Sequence, residues 1–131
     1  RFHEAKVNNL SEVMAWGTGK PMREFLYVDD MAAASIFVMN LEGDAYRAQT
    51  DIMCSHINVG AGGDISIKEL TEHVASTVGY SGKITWDRSK PDGRARKLMD
   101  TKKLNDLGWE PSIGLIEGLE NAYKWYIENL D

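Results

Sequence analysis

The chain alternates short apolar blocks with polar, glycine-containing interruptions. Phe2-His3-Glu4-Ala5-Lys6 mixes apolar and charged residues in the manner of a helix end. Lys6 to Val13, polar around Asn8-Asn9, predicts a loop. Met14-Ala15-Trp16 predicts a short strand, stopped by Gly17-Thr18-Gly19-Lys20-Pro21. Arg23-Glu24-Phe25-Leu26-Tyr27-Val28 predicts a second strand. Asp29 and Asp30 then offer an N-cap and a helix-dipole partner for a helix from Met31 to Leu41. That helix is apolar and Ala-rich nearly all round, so burial is expected. The polar stretch from Glu42 to Ser55 predicts a surface loop.

The second half repeats the mixture. His56-Ile57-Asn58-Val59 is a β-type run ending at Gly60. Ser66-Ile67-Lys68-Glu69 has the form of a capping box. It opens a helix with Ile67, Leu70, Val74 and Val78 on one face, ending at Gly79. Lys83 to Trp86 predicts a strand. Asp100 or Thr101 caps a short helix through Leu104 and Leu107, stopped by Gly108. Pro111 and Ser112 open a last helix with Leu115, Leu119, Ala122, Tyr123, Tyr126 and Leu130 along one stripe. Short strands with about four to five helices predict an α/β protein of mixed α+β character.

Composition narrows the classes. At 131 residues, 43% hydrophobic and 27% charged, the chain fits one packed domain and excludes disordered or collagenous classes. The single cysteine, Cys54, excludes an internal disulfide framework and a multi-cysteine zinc site, and suits a reducing, cytoplasmic compartment. No apolar run approaches a membrane span. The sequence opens on Arg1 with no charged-then-apolar leader, so a piece of a longer protein is expected. Net charge is -5, yet residues 83–103 hold eight basic residues against three acidic ones. A basic island on an acidic protein suits a small polyanion, with a solvated basic loop as the alternative. Extended nucleic acid is not expected, because the remaining surface repels phosphates.

Two motifs fail on inspection. Gly60-Ala61-Gly62-Gly63-Asp64-Ile65 sits where a dinucleotide fingerprint would, but its third glycine position holds Ile65. Gly19-Lys20 is no phosphate loop, since position 14 is Met and Lys20 precedes Pro21. His3, His56 and His73 lack metal-ligand spacing. Cys54 beside His56 reads as a partly buried thiol or a reactive pair.

Several polar residues carry more promising chemistry. Trp16, just before a glycine-rich turn, is either a core aromatic or a ring that stacks on a base or sugar. Arg23 offers a fork for a phosphate. Asp29 and Asp30 read as helix-capping residues before catalytic ones. Asp92, in the turn Lys90-Pro91-Asp92-Gly93, can accept from ribose hydroxyls or a base amide. Arg94, Arg96 and Lys97 follow and can face a diphosphate. Together these are the parts of a sugar-nucleotide pocket or of a generic anion site.

The run from Trp16 to Ala32 resembles the C-terminal part of the GDP-L-fucose synthase family, the GDP-4-keto-6-deoxy-D-mannose epimerase/reductases. Phe25-x-Tyr27-Val28-Asp29-Asp30-Met31-Ala32, Ile57-Asn58-Val59-Gly60 and Ser66-Ile67-Lys68-Glu69-Leu70 are similar to the wider group of extended short-chain dehydrogenases acting on nucleotide sugars. Lys90-Pro91-Asp92-Gly93, Arg96-Lys97-Leu98-Met99-Asp100, Leu107-Gly108-Trp109 and Tyr123-Lys124-Trp125-Tyr126 fit the narrower family. Arg94-Ala95 departs from the family's small residue and proline. The resemblance implies a C-terminal nucleotide-sugar-binding domain over residues 1–131, with the Rossmann half missing. It implies epimerisation at C3 and C5 and NADPH-dependent reduction at C4, converting GDP-4-keto-6-deoxy-D-mannose to GDP-L-fucose. It implies substrate contacts at Arg1, Trp16, Arg23 and Asp92, with Lys97 as a weaker addition, and a homodimeric parent enzyme. It places no catalytic residue and no cofactor-binding residue in this chain, and Cys54 does not match the family's catalytic cysteine. The alternatives are the same part of another nucleotide-sugar epimerase or dehydratase, and a non-catalytic nucleotide-binding module.

Overall fold

A computed structural model describes residues 1–130. Among them are six helices and five strands: α1 (Phe2–Val7), β1 (Glu12–Trp16), β2 (Met22–Arg23), α2 (Val28–Met39), α3 (Gly43–Gln49), β3 (Ile65–Ser66), α4 (Ile67–Val78), β4 (Lys83–Asp87), β5 (Arg96–Lys97), α5 (Lys102–Asp106) and α6 (Leu115–Glu128). The mixed α/β class is as the sequence predicts. The chain packs as two compact units. Unit 1 comprises residues 1–23, 65–97 and 116–131; unit 2 comprises residues 24–64 and 98–115.

Unit 1 is built on two small sheets. β1 and β4 pair in parallel, Glu12 opposite Lys83 through to Trp16 opposite Asp87. In the second sheet β2 is central, antiparallel to β3 and parallel to β5. The predicted capping box is formed: Ser66 Oγ accepts from Glu69 N, and the Glu69 carboxylate accepts from Ser66 N and Oγ. Two further N-terminal donors of α4, Ile67 N and Lys68 N, bind the carbonyls of Pro21 and Gly19 at 2.9 Å each. The helix start is thereby satisfied by the preceding glycine-rich turn. Gly79 closes α4 in the left-handed conformation, as its position predicts. The unit's core joins Ala5, Val13, Ala75, Val78 and Tyr80, with Phe2, Val74, Ile84 and Tyr123 packed against it.

Unit 2 departs more from the sequence pattern. Of the strand predicted over Arg23–Val28 only Arg23 is in a strand, as the second residue of β2; the chain then turns into α2 at Val28. Tyr27, not Asp29 or Asp30, is the N-cap, and it makes no side-chain capping bond. Both aspartates lie in the first turn, where their charge complements the helix dipole. Asp30 is buried, 3% exposed, and accepts from Ser112 N, Ser112 Oγ and Ile113 N at 2.8–3.1 Å. The last helix starts at Leu115 rather than near Pro111, and the Ser112 and Ile113 N–H groups are bound by Asp30 instead.

α2 is not the buried helix its composition predicts. Only Asp30 and Ala34 are buried, while Val28 is 68% and Met39 83% exposed. Residues within the predicted 42–55 loop form α3. The β-type run His56–Val59 pairs with no strand among the described residues; β propensity makes a strand only where a neighbour supplies a ladder. Ile57 and Val59 instead pack on a core of Ala34, Leu104 and Trp109. At α5, Thr101 is the N-cap without a side-chain bond, and Asp100 Oδ1 accepts from Lys102 N at 3.0 Å.

The Ser112 N–H first, then the Ile113 N–H and the Ser112 hydroxyl, hold the Asp30 carboxyl below the usual aspartate range, against the desolvation of burial. A depressed folded-state pKa contributes stability above the unfolded value and loses it as pH falls through the folded one. Asp30→Asn is therefore expected to lower the denaturation midpoint at neutral pH and to flatten its decline in acid. Equal pH dependence in both proteins, measured by urea unfolding at pH 7 and in the acid range, would refute this account.

Candidate functional site

The glycine-rich turn after β1 is built by close approach. Gly17 and Gly19 both have positive φ, +80° and +75°, which disfavours side chains there. A Cβ at Gly19 would lie 2.7 Å from the Trp86 ring, and one at Gly17 would strike the Asp92 carboxylate. Between them Thr18 faces Asp92. Thr18 N donates to Asp92 Oδ1 and Thr18 Oγ1 to Asp92 Oδ2, each at 2.6 Å. The Thr18 hydroxyl, then its N–H, and Lys20 hold the Asp92 carboxyl below the usual aspartate range, against partial desolvation. Asp92 thus ties its own turn, residues 90–93, to the Gly17–Gly19 turn.

That tie gathers the cations. Trp16 is 61% exposed, which removes the core-aromatic reading. The Arg1 guanidinium carbon lies 5.4 Å and Lys90 Nζ 5.7 Å from the Trp16 ring centroid, both within cation–π reach. Arg1 Nη1 also donates to Met14 O at 3.3 Å. A Cβ on Gly93 would come 3.8 Å from Arg23 Nη2. Arg23 is half-buried, with Nη1 donating to the Met22 carbonyl at 2.7 Å.

The β2–β5 register adds a second arrangement. Arg23 is paired with Lys97 and Met22 with Arg96 on parallel strands. Paired residues of a sheet share a face. Arg23 and Lys97 are therefore cross-strand neighbours of like charge on one face of the sheet. All five predicted residues, Arg1, Trp16, Arg23, Asp92 and Lys97, lie in unit 1. Sequence reasoning missed Thr18 and Lys90 as participants. A threonine flanked by two glycines, five residues before the substrate-binding candidate arginine, was the available signal for Thr18.

The glycine run at 60–63 does not fit a dinucleotide. Glu24 Oε1 accepts from Gly62 N at 2.9 Å, and a Cβ on Gly60 would lie 2.5 Å from the same oxygen. A carboxylate at the turn repels a pyrophosphate and takes one of its backbone donors. Elsewhere in unit 2, Lys103 Nζ donates to Cys54 Sγ at 3.7 Å and His56 Nδ1 lies 3.9 Å from it. Among the described residues no three His, Cys, Asp or Glu side chains gather as a metal site, and no helix is long and apolar enough to cross a membrane.

Residues 1–60 match the profile of the NAD dependent epimerase/dehydratase family. The chain is 53% identical over 99% of its length to the Probable GDP-L-fucose synthase 1 of Oryza sativa subsp. japonica, covering 37% of that protein. It is 53% identical over its whole length to the GDP-L-fucose synthase of Escherichia coli, strain K12, covering 41% of it. Among solved structures it is similar to MlghC, a GDP-mannoheptose C4 reductase from Campylobacter jejuni with NADP bound. That match has a TM-score of 0.81 and 37% identity, covering 96% of this chain and 42% of the other. The chain thus spans about two-fifths of the length of the relatives it matches.

Thr18→Val deletes the hydroxyl donor and keeps the backbone one. The Asp92 carboxyl is expected to titrate at higher pH in this variant, read from its carboxyl carbon shift by NMR. An unmoved titration would show that the hydroxyl is not its main partner.

Proposed function

We propose that residues 1–131 are the C-terminal substrate-binding part of a longer, NADPH-dependent GDP-4-keto-6-deoxy-D-mannose 3,5-epimerase/4-reductase that produces GDP-L-fucose. The observation that carries this reading is the 90–93 turn. It sets Lys90 over Trp16, Asp92 on Thr18 and Gly93 beside Arg23. An exposed indole flanked by cations suits a planar base or sugar face. The Arg23–Lys97 pair suits a diphosphate, with Arg23 engaging two oxygens as a fork. Arg1 lies beside Trp16 at the edge of the same surface. The 53% identity to GDP-L-fucose synthases over the whole chain supports the GDP-sugar in particular.

NADPH, in this reading, is held by a Rossmann half outside this chain, as are the groups that move protons and hydride. The carboxylate in the 60–63 turn supports that division. So do the exposed apolar residues of unit 2, Val28, Ile36, Met39, Ile52 and Met53, which suit a cover by further protein. The proposed enzyme is a cytoplasmic homodimer without nucleic-acid or membrane partners.

Two outcomes test the reading. The isolated chain is expected not to oxidise NADPH with the 4-keto-6-deoxy sugar nucleotide; turnover by the pure chain would overturn the division of labour. In the full-length enzyme, Arg23→Lys is expected to weaken use of the GDP-sugar by about 1–3 kcal/mol, as for a lost charged hydrogen bond. NADPH affinity and melting temperature should hold. Unchanged substrate kinetics would remove Arg23 from the site, and equal losses in all three would make it structural. Cys54→Ser in the same enzyme is expected to stay within a few-fold of the parent, against roughly a hundredfold for a lost general acid or base.

A further inference from the structure

The contact between Thr18 and Asp92 lies wholly within unit 1. Among the described residues, no hydrogen bond other than the two from Thr18 reaches either Asp92 oxygen. The Thr18 hydroxyl is itself held. Lys20 N donates to Thr18 Oγ1 at 3.3 Å, which leaves the single hydroxyl hydrogen for Asp92 Oδ2. A carboxylate has about four lone-pair sites, and Thr18 takes one on each oxygen. One acceptor site on each oxygen therefore stays open. Asp92 is exposed, and with both oxygens tethered its carboxylate does not turn about the Cβ–Cγ bond.

The contacts between the two turns come in a fixed order along both. Lys90 meets Trp16, Asp92 meets Thr18, and Gly93 borders Arg23. In a nucleoside diphosphate the base, the ribose and the diphosphate are joined in that same order. With the base on Trp16 and the diphosphate on Arg23, the ribose falls to Asp92. Its two neighbouring hydroxyls are paired donors, and the two open acceptor sites of a fixed carboxylate match them. We infer that Thr18 is a positioning residue that sets selectivity for the ribose diol: it holds both Asp92 oxygens so that each accepts from one ribose hydroxyl. A carboxylate tethered at one oxygen turns freely and gains little from a second hydroxyl, because ordering it costs what the bond returns. The inference rests on the proposed reading of Trp16 and Arg23 as base and diphosphate contacts.

The test is competitive inhibition of the full-length enzyme acting on GDP-4-keto-6-deoxy-D-mannose. The inhibitors are GDP, dideoxy-GDP, which lacks both ribose hydroxyls, and IDP, which lacks the guanine amino group. The parent and Thr18→Ser are expected to prefer GDP over dideoxy-GDP by about tenfold or more, the size of one lost charge-assisted hydrogen bond. In Thr18→Val that preference is expected to fall to about twofold or less. A merely structural role weakens both inhibitors together and leaves their ratio at the parent value; that result overturns the inference. Loss of the preference in Thr18→Ser as well also overturns it, because the hydroxyl is then not the cause. So does a loss of preference for GDP over IDP instead, which assigns Asp92 to the base. If Thr18→Val does not fold, Thr18→Ala, which deletes the same hydroxyl, decides by the same ratio. No turnover by the parent, or no competition by GDP, overturns the functional reading itself. Competition by GDP and its dideoxy form with equal affinity overturns the role of Thr18 alone.

Discussion

The Asp92 carboxylate is bound at both oxygens by one residue, Thr18, and the candidate site depends on that grip. The grip needs a backbone that lies against the carboxylate, so position 17 has no room for a side chain. It needs the turn held from below as well. The carbonyls of Gly19 and Pro21 do this by accepting the first free donors of α4, and Ser66 and Glu69 complete that helix start reciprocally. A run of hydrogen bonds therefore passes from the capping box through the glycine-rich turn to Asp92. From there the 90–93 turn carries Lys90 to Trp16 and Gly93 to Arg23. Charged acceptors bonded to backbone donors are the stronger class of hydrogen bond, and they suit a site made of turns.

The electrostatics of unit 1 follow from this geometry. Cations are concentrated by pairing Arg23 with Lys97 across parallel strands and by setting Arg1 and Lys90 over one ring. Each arrangement gathers like charges on one element or one ring in a protein of net charge -5. Such clustering costs free energy in the empty protein, which is why the proposed ligand carries phosphate.

Unit 2 answers a different demand, the satisfaction of polar groups among apolar ones. Buried Asp30 collects three donors from Ser112 and Ile113, beside the core of Ala34, Leu104 and Trp109. Glu24 collects two more from Gly62 and Met99. In both places a carboxylate does for irregular backbone what a ladder does for strands. The same economy explains why a glycine run that resembles a dinucleotide turn is not one here: its donor already has an acceptor.

Local chemistry was legible in the sequence wherever it acts between near neighbours. The capping box at Ser66, the left-handed stop at Gly79, the strand at Lys83 and the helix stripe of α4 each depend on a few adjacent side chains, and each formed as the pattern predicts. The resemblance carried by Trp16 to Ala32 and Lys90 to Asp100 brought the site residues to notice, while composition and spacing alone left a sugar-nucleotide pocket and a generic anion site equally open. What the sequence misassigned depends on distant partners. Asp30 reads as a cap until Ser112 is seen to claim it. His56–Val59 reads as a strand until no neighbour is found to pair with it. α2 reads as buried because composition records how apolar a helix is, not whether anything covers it. Thr18 and Asp92 lie 74 residues apart, Glu24 and Met99 lie 75 apart, and Arg23 meets Lys97 only through a strand register. Those pairings exist because the chain closes loops of that length on itself, and tertiary structure alone decides which loops close.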